Sequence, residues 1–190
     1  MSESLVKQYF TAHLKQMESV DKKLVSEGIN YILNAFMEGK KIFTCGNGGS
    51  AYAASHFITD WNKMTLVHTN KQLKGYSLCD NIGIVTAYAN DISYEKVFSE
   101  QLKSLASAGD LLITISGSGN SKNILNAIET AKDMKLKTLG LLGFGGGKAS
   151  KMVDCSVVVD SKDMQLCEDF HLMFGHMVMK KLCGIEVISN

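Results

Sequence analysis

The sequence predicts an α/β fold: a five-stranded parallel sheet flanked on both faces by helices, with long helices ahead of the first strand. Three observations carry that expectation. Five short apolar runs, at 42–45, 75–79, 111–115, 138–142 and 156–159, alternate with amphipathic segments of helical period. Two of those runs break into glycine- and serine-rich turns that open helices, the punctuation of a parallel sheet. A chain of 190 residues with 45% hydrophobic content is the size of one domain with a full core, so residues 1–190 are read as a single domain.

In chain order, Leu5, Tyr9, Leu14, Met17 and Leu24 recur at helical spacing and predict a helix from Leu5 to about Leu24. Ile29, Ile32, Leu33 and Phe36 predict a second helix that stops before Gly39. These N-terminal helices, residues 1–40, either pack on another subunit or dock on their own domain. The first strand runs into Gly46-Asn47-Gly48-Gly49-Ser50 and then a helix carrying His56 and Asp60. The third runs into Ser116-Gly117-Ser118-Gly119-Asn120-Ser121, and the helix after it places Ile124, Ala127, Ile128 and Ala131 on one face. Gly143-Phe144-Gly145-Gly146-Gly147 reads as a flexible connection. A last long helix spans about 164–182.

The two glycine-serine loops carry the first chemical signal. Glycines allow tight turns, serine hydroxyls donate hydrogen bonds, and the amides of a following helix add partial positive charge. In open parallel sheets ligands sit outside the carboxyl ends of the strands, where both loops fall. The pair therefore points to a phosphorylated small molecule. A nucleotide is disfavoured, because neither loop has the Lys-Ser/Thr ending of a P-loop or the glycine spacing of a dinucleotide motif.

Composition narrows the partners. Lys and Arg total 20 against 19 Asp and Glu, a net charge of +1, with the signs interspersed, so no footprint for direct nucleic-acid binding exists. Every basic residue is lysine, so an anion site here uses lysine, hydroxyls or backbone amides and never an arginine fork. The cysteines Cys45, Cys79, Cys155, Cys167 and Cys183 form no CxxC pair and read as buried reduced thiols. With neither a signal-peptide core nor a membrane-length apolar run, a cytoplasmic protein without membrane partners is expected.

The second chemical signal is a set of histidines and carboxylates. His56 and Asp60, four residues apart, lie about 40° apart around a helix, while Glu168 and His176 lie about 80° apart on the last helix. Together they form a candidate divalent-metal set, although a His/Asp pair at that spacing is equally a surface hydrogen bond. His171 lies about 140° from His176 and reads as structural. His13 and His68 read as exposed or interface residues, and Trp61 as a packing residue.

The order Cys-Gly-Asn-Gly-Gly-Ser, His56, Ala89-Asn90-Asp91, Ile-Ser-Gly-Ser-Gly-Asn-Ser, Glu168 and His176 resembles the phosphoheptose isomerases, which are sugar-isomerase (SIS) domain proteins. The likeness covers nearly the whole chain. It implies a homotetramer that converts sedoheptulose 7-phosphate to a glycero-manno-heptose 7-phosphate for surface polysaccharides, with zinc, one divalent ion per subunit, and sites between subunits. By position, Ser116, Gly117, Ser118 and Ser121 match the family's phosphate loop and Asn47, Gly48 and Gly49 its partner loop. Asn90 and Asp91 match a substrate-contacting pair. His56, Asp60, Glu168 and His176 match the metal and catalytic positions, with Asp60 at the base and His176 at its acid partner.

Three departures accompany the likeness. Asp60 stands where the family has glutamate, Glu168 where it has glutamine, and Gly117 where it has threonine. They leave open which carboxylate is the base and which phosphorylated ketose is used. A non-catalytic SIS-domain protein, one that binds a phosphosugar or assists replication initiation, is the competing expectation; the retained Asp60 carboxylate and His176 favour an enzyme.

Overall fold

The computed structural model describes residues 2–188. Its five strands are β1 (Lys41–Gly46), β2 (Lys74–Ser77), β3 (Leu111–Ser116), β4 (Lys137–Leu142) and β5 (Cys155–Val158). All are parallel, in the order β2-β1-β3-β4-β5. Each predicted run is a strand with ends slightly displaced; the second stops at Ser77 rather than Cys79. Side chains alternate across the sheet. Ile42, Ile113, Leu139 and Val157 enter a core shared with helices α2 (Lys22–Met37), α3 (Gly49–Thr69) and α7 (Met164–Cys183). Phe43, Leu112 and Leu142 enter a second core under α5 (Ser99–Leu105) and α6 (Lys122–Asp133).

At the N-terminus the expected helix to Leu24 is two. The first, α1 (Ser2–Ser19), ends before Asp21, whose carboxylate accepts hydrogen bonds from the Lys23 and Leu24 amides at 2.8 and 3.2 Å and starts α2. Leu24 continued the apolar spacing but belongs to α2, because capping overrides periodicity there. On α7, Asp169 holds α1 by accepting from the Tyr9 hydroxyl at 2.6 Å and pairing with His13 at 2.7 Å, so His13 is a half-buried tie. That carboxylate also pushes the Tyr9 phenol up to about 12. Cys45, Cys155 and Cys167 are buried, whereas Cys79 and Cys183 are only half-buried, and all five are free.

Two features of this packing set the site. β1 and β3 are neighbours at the point where the strand order reverses, with Gly46 beside Ile115, so the two glycine-serine loops leave the sheet side by side. α3 and α7 approach closely because Gly175 has no side chain: a β-carbon there would meet the Phe57 ring, its Cζ at 3.0 Å. Trp61 stacks on Phe57 with centroids 5.0 Å apart and donates its indole N–H to the Gly175 carbonyl at 2.9 Å. Both aromatics are fully buried, and each stabilises this contact by about 2–3 kcal/mol of apolar burial. His56 precedes Phe57 and His176 follows Gly175, so this packing carries the two imidazoles together.

Candidate active site

Two cavities meet at Glu168. The smaller, about 180 Å³, is lined by Asn47, Ser50, Ser116, Gly117, Ser118, Ser121, Met164 and Glu168, together with Ile115. Within it the Ser116 Oγ accepts from the Gly119 amide at 3.1 Å and the Ser118 Oγ from the Asn120 amide at 3.2 Å. Those bonds shape the turn and leave each hydroxyl proton free to donate to a ligand. Gly48 and Ser121 precede α3 and α6 without making a side-chain cap; the Ser50, Ala51 and Ile124 amides donate to Asn47 O, Gly48 O and Asn123 Oδ1, and the first amides of the two helices, at Gly49 and Lys122, are left for an anion. Its lining contains no lysine. An anion there would be held by hydroxyls and amides.

The larger cavity, about 450 Å³, is lined by Gly49, Ser50, Tyr52, Ala53, His56, Glu168, His171, Leu172 and His176. His56 Nε2 and His176 Nε2 lie 3.1 Å apart, with rings at 89°. Asp60 joins them, the three offering ligand atoms within 4.8 Å of one another, the one such group among the described residues. Two nitrogens bound to one tetrahedral zinc at about 2.0–2.1 Å would be about 3.3 Å apart, so the donor set fits a divalent ion. Glu168 stands outside that trio, against Gly49, where a β-carbon would sit 2.8 Å from the Glu168 Cδ. Its carboxylate is the wall between the anion cavity and the histidines.

Other expected residues fall differently. Asn90 and Asp91 end α4 (Ile82–Asp91), are exposed, bond to each other at 2.8 Å and line neither cavity. The Asn47 amide is partly committed within the chain: it exchanges two hydrogen bonds with Asn123, at 2.9 and 2.8 Å, and accepts the Tyr94 hydroxyl at 2.7 Å, which leaves one Nδ2 proton beside the cavity it lines. Asn47 thus ties the loop after β1 to the start of α6. Tyr94, Asn123, Ser50 and Met164 had no signal of their own in the sequence except the place of Ser50 at the end of the first loop.

The Gly143–Gly147 segment is not a free connection. Its Gly143 amide donates to Ser116 O at 3.1 Å, Lys148 N donates to the Asn120 side chain at 3.1 Å, and Ala149 N donates to Gly119 O at 2.9 Å. It buttresses the serine loop from behind. Turn chemistry alone had no means of showing this contact.

His171 is structural, as its helical angle suggested: it is 1% exposed with neither ring nitrogen hydrogen-bonded. Burial pushes its pKa down to about 4, against the opposing influence of the Leu142 carbonyl. Neutral in the fold and ordinary when unfolded, it refuses a proton that the unfolded chain binds between about pH 6.5 and 4. Stability is therefore complete above pH 6.5 and falls as pH drops through that window, by about 3 kcal/mol at its acid end. His171→Phe is expected to flatten a thermal-unfolding series over that range, and an unchanged slope would clear His171 as its source.

A SIS domain model matches residues 7–143. A phosphoheptose isomerase from Aliarcobacter butzleri is 36% identical over 181 residues, covering 94% of this chain and 95% of the relative. The chain belongs to the phosphoheptose isomerase family of SIS-domain proteins. A Helicobacter pylori phosphoheptose isomerase is 37% identical over 181 residues, covering 94% of each chain. The solved phosphoheptose isomerase of Neisseria gonorrhoeae superposes with a TM-score of 0.89 at 27% identity, covering 97% of this chain and all of that one. As a phosphoheptose isomerase family member, this chain has the family's single five-stranded α/β fold.

Proposed function

We propose that this chain is a ketose-aldose isomerase converting sedoheptulose 7-phosphate to D-glycero-D-manno-heptose 7-phosphate, for heptose and surface-polysaccharide synthesis. The observation that carries the reading is the wall at Glu168: an anion cavity without cations on one side, a His56-Asp60-His176 cluster on the other. A seven-carbon ketose with its phosphate at one end and its reacting carbons at the other spans that wall. Ser116, Ser118, Ser121 and the amides of Gly48, Gly49 and Gly117 bind the phosphate. Asp60 takes a proton from C1 and returns it to C2. His176 donates to the C2 oxygen as the enediol forms and removes the proton from the C1 oxygen as the aldehyde appears. His56, Asp60 and His176 would hold zinc, with Glu168 or water as the fourth ligand; the His176 Nε2 would be ligand or proton carrier at any one step and not both, and such an ion supplies Lewis-acid stabilisation of enediolate charge.

The assembly we propose is a homotetramer packed through residues 1–40. Val6, Phe10 and Leu14, four residues apart on α1, are 50%, 64% and 68% exposed, an apolar face with no cover in the single chain. Asn90 and Asp91, absent from both cavities of their own chain, fit a site completed between subunits. None of the described helices is long and apolar enough to cross a membrane; the location we propose for the enzyme is the cytoplasm, where sugar phosphates are made and used.

Proton NMR of sedoheptulose 7-phosphate in heavy water with zinc-supplemented protein tests the reading. Deuterium is expected to enter at C1 with new aldose anomeric signals, and both should stop with a chelator. No exchange, while the same ketose still raises the melting temperature, would overturn the isomerase in favour of a binding protein or another sugar.

A further inference from the structure

We propose that Met164 is a specificity-determining residue of the anion cavity, filling the space that a side chain on residue 117 would need, so that Gly117 and Met164 act as one unit. The inference rests on reading this cavity as the phosphate site. A β-carbon built on Gly117 would run into the Met164 thioether, with Cε 2.7 Å away, and the Phe144 ring closes behind at 3.5 Å. The threonine of the family resemblance fits here only if the Met164 thioether moves aside. Its place in the wall is taken from the opposite side of the cavity, by a side chain on another element.

The backbone that carries this half-buried side chain is fixed. Met164 is the first residue of α7, whose start is fixed by Asp163 accepting from the Gln165 and Leu166 amides at 3.0 and 3.4 Å. Glu168 stands one turn further along the same helix face, and both residues line the cavity. A thioether is soft, apolar and a poor hydrogen-bond partner, so Met164 acts by shape and by keeping water out. That role matters because the lining carries no lysine. The serine hydroxyls and loop amides must hold the charge alone, and their hydrogen bonds strengthen as water is excluded. A pocket of about 180 Å³ narrowed by a thioether selects a terminal phosphate monoester over a bulkier diester.

A double-mutant cycle on the full-length, metal-loaded protein tests the pairing, reading KM and kcat for the sugar phosphate and inhibition by inorganic phosphate. Gly117→Thr alone should force Met164 from its seat and raise KM and the phosphate inhibition constant about ten-fold, with the effect on KM rather than kcat. Met164→Ala alone should raise both by a few-fold. The double variant Gly117→Thr/Met164→Ala should recover most of the lost affinity, a coupling of about five-fold or more. Additive effects would overturn the proposal.

Ser116→Ala/Ser121→Ala is the control for the underlying reading. If it leaves KM and phosphate inhibition unchanged, the phosphate site itself is wrong; if it raises both while the cycle is additive, only the role of Met164 falls. Should Gly117→Thr fail to fold, Met164→Leu against Met164→Ser decides. The apolar variant should keep most of the affinity and the hydrated one should lose it, and equal affinities would overturn the proposal.

Discussion

His176→Ala is expected to lower kcat by about 10³-fold, within the range of a lost general acid-base group, while leaving the fold and assembly intact. His176 is exposed, and its replacement leaves untouched the Phe57, Trp61 and Gly175 contacts that join α3 to α7. A surface substitution of this kind changes stability by about 0.5 kcal/mol or less. Its Nε2 is one of two imidazole nitrogens 3.1 Å apart, so bound metal should fall with the rate. Steady-state kinetics, metal content and light scattering on one preparation check all three expectations. An unchanged kcat would remove His176 from the mechanism.

The second large effect separates the two carboxylates. Asp60→Asn is expected to lower kcat by about 10²–10⁴-fold and to stop deuterium entering at C1, because Asp60 lies in the histidine cluster where the reacting carbons are placed. Glu168→Gln should cost less than about ten-fold, since a glutamine keeps the shape against Gly49 and still offers an oxygen to the junction of the cavities. The reverse pattern, with exchange lost in Glu168→Gln and kept in Asp60→Asn, would move the base to Glu168.

The sheet was legible because the three central parallel strands, β1, β3 and β4, are buried apolar runs, and the two edge runs, only partly buried, fall at the same spacing between helices. The His56/Asp60 pair was legible because four-residue spacing on a helix fixes a common face, whatever the tertiary structure does. Contacts between elements distant in sequence were not. Nothing local to Met164 says that it lies on Gly117, and nothing local to Gly143–Gly147 says that it braces the serine loop. Asn47 read as a residue facing a ligand and does line the anion cavity, but its two bonds to Asn123, 76 residues along the chain in another βα unit, had no local signal. Helix spacing put Glu168 with His176, and the two do line one cavity; its second position, at the edge of the anion cavity against Gly49, had no local signal.

The pairing of β1 with β3 has a consequence for how the chain comes to fold. Ile42 sits beside Leu111, and the whole of α3, β2, α4 and α5 lies between them in sequence. Closing that long loop is entropically expensive, and neither half of the anion cavity exists as a cavity before it closes. A partly folded chain thus offers a sugar phosphate nothing to grip. Ligand binding acts only on the finished molecule, so substrate draws the folding equilibrium forward by mass action without favouring any intermediate along the way.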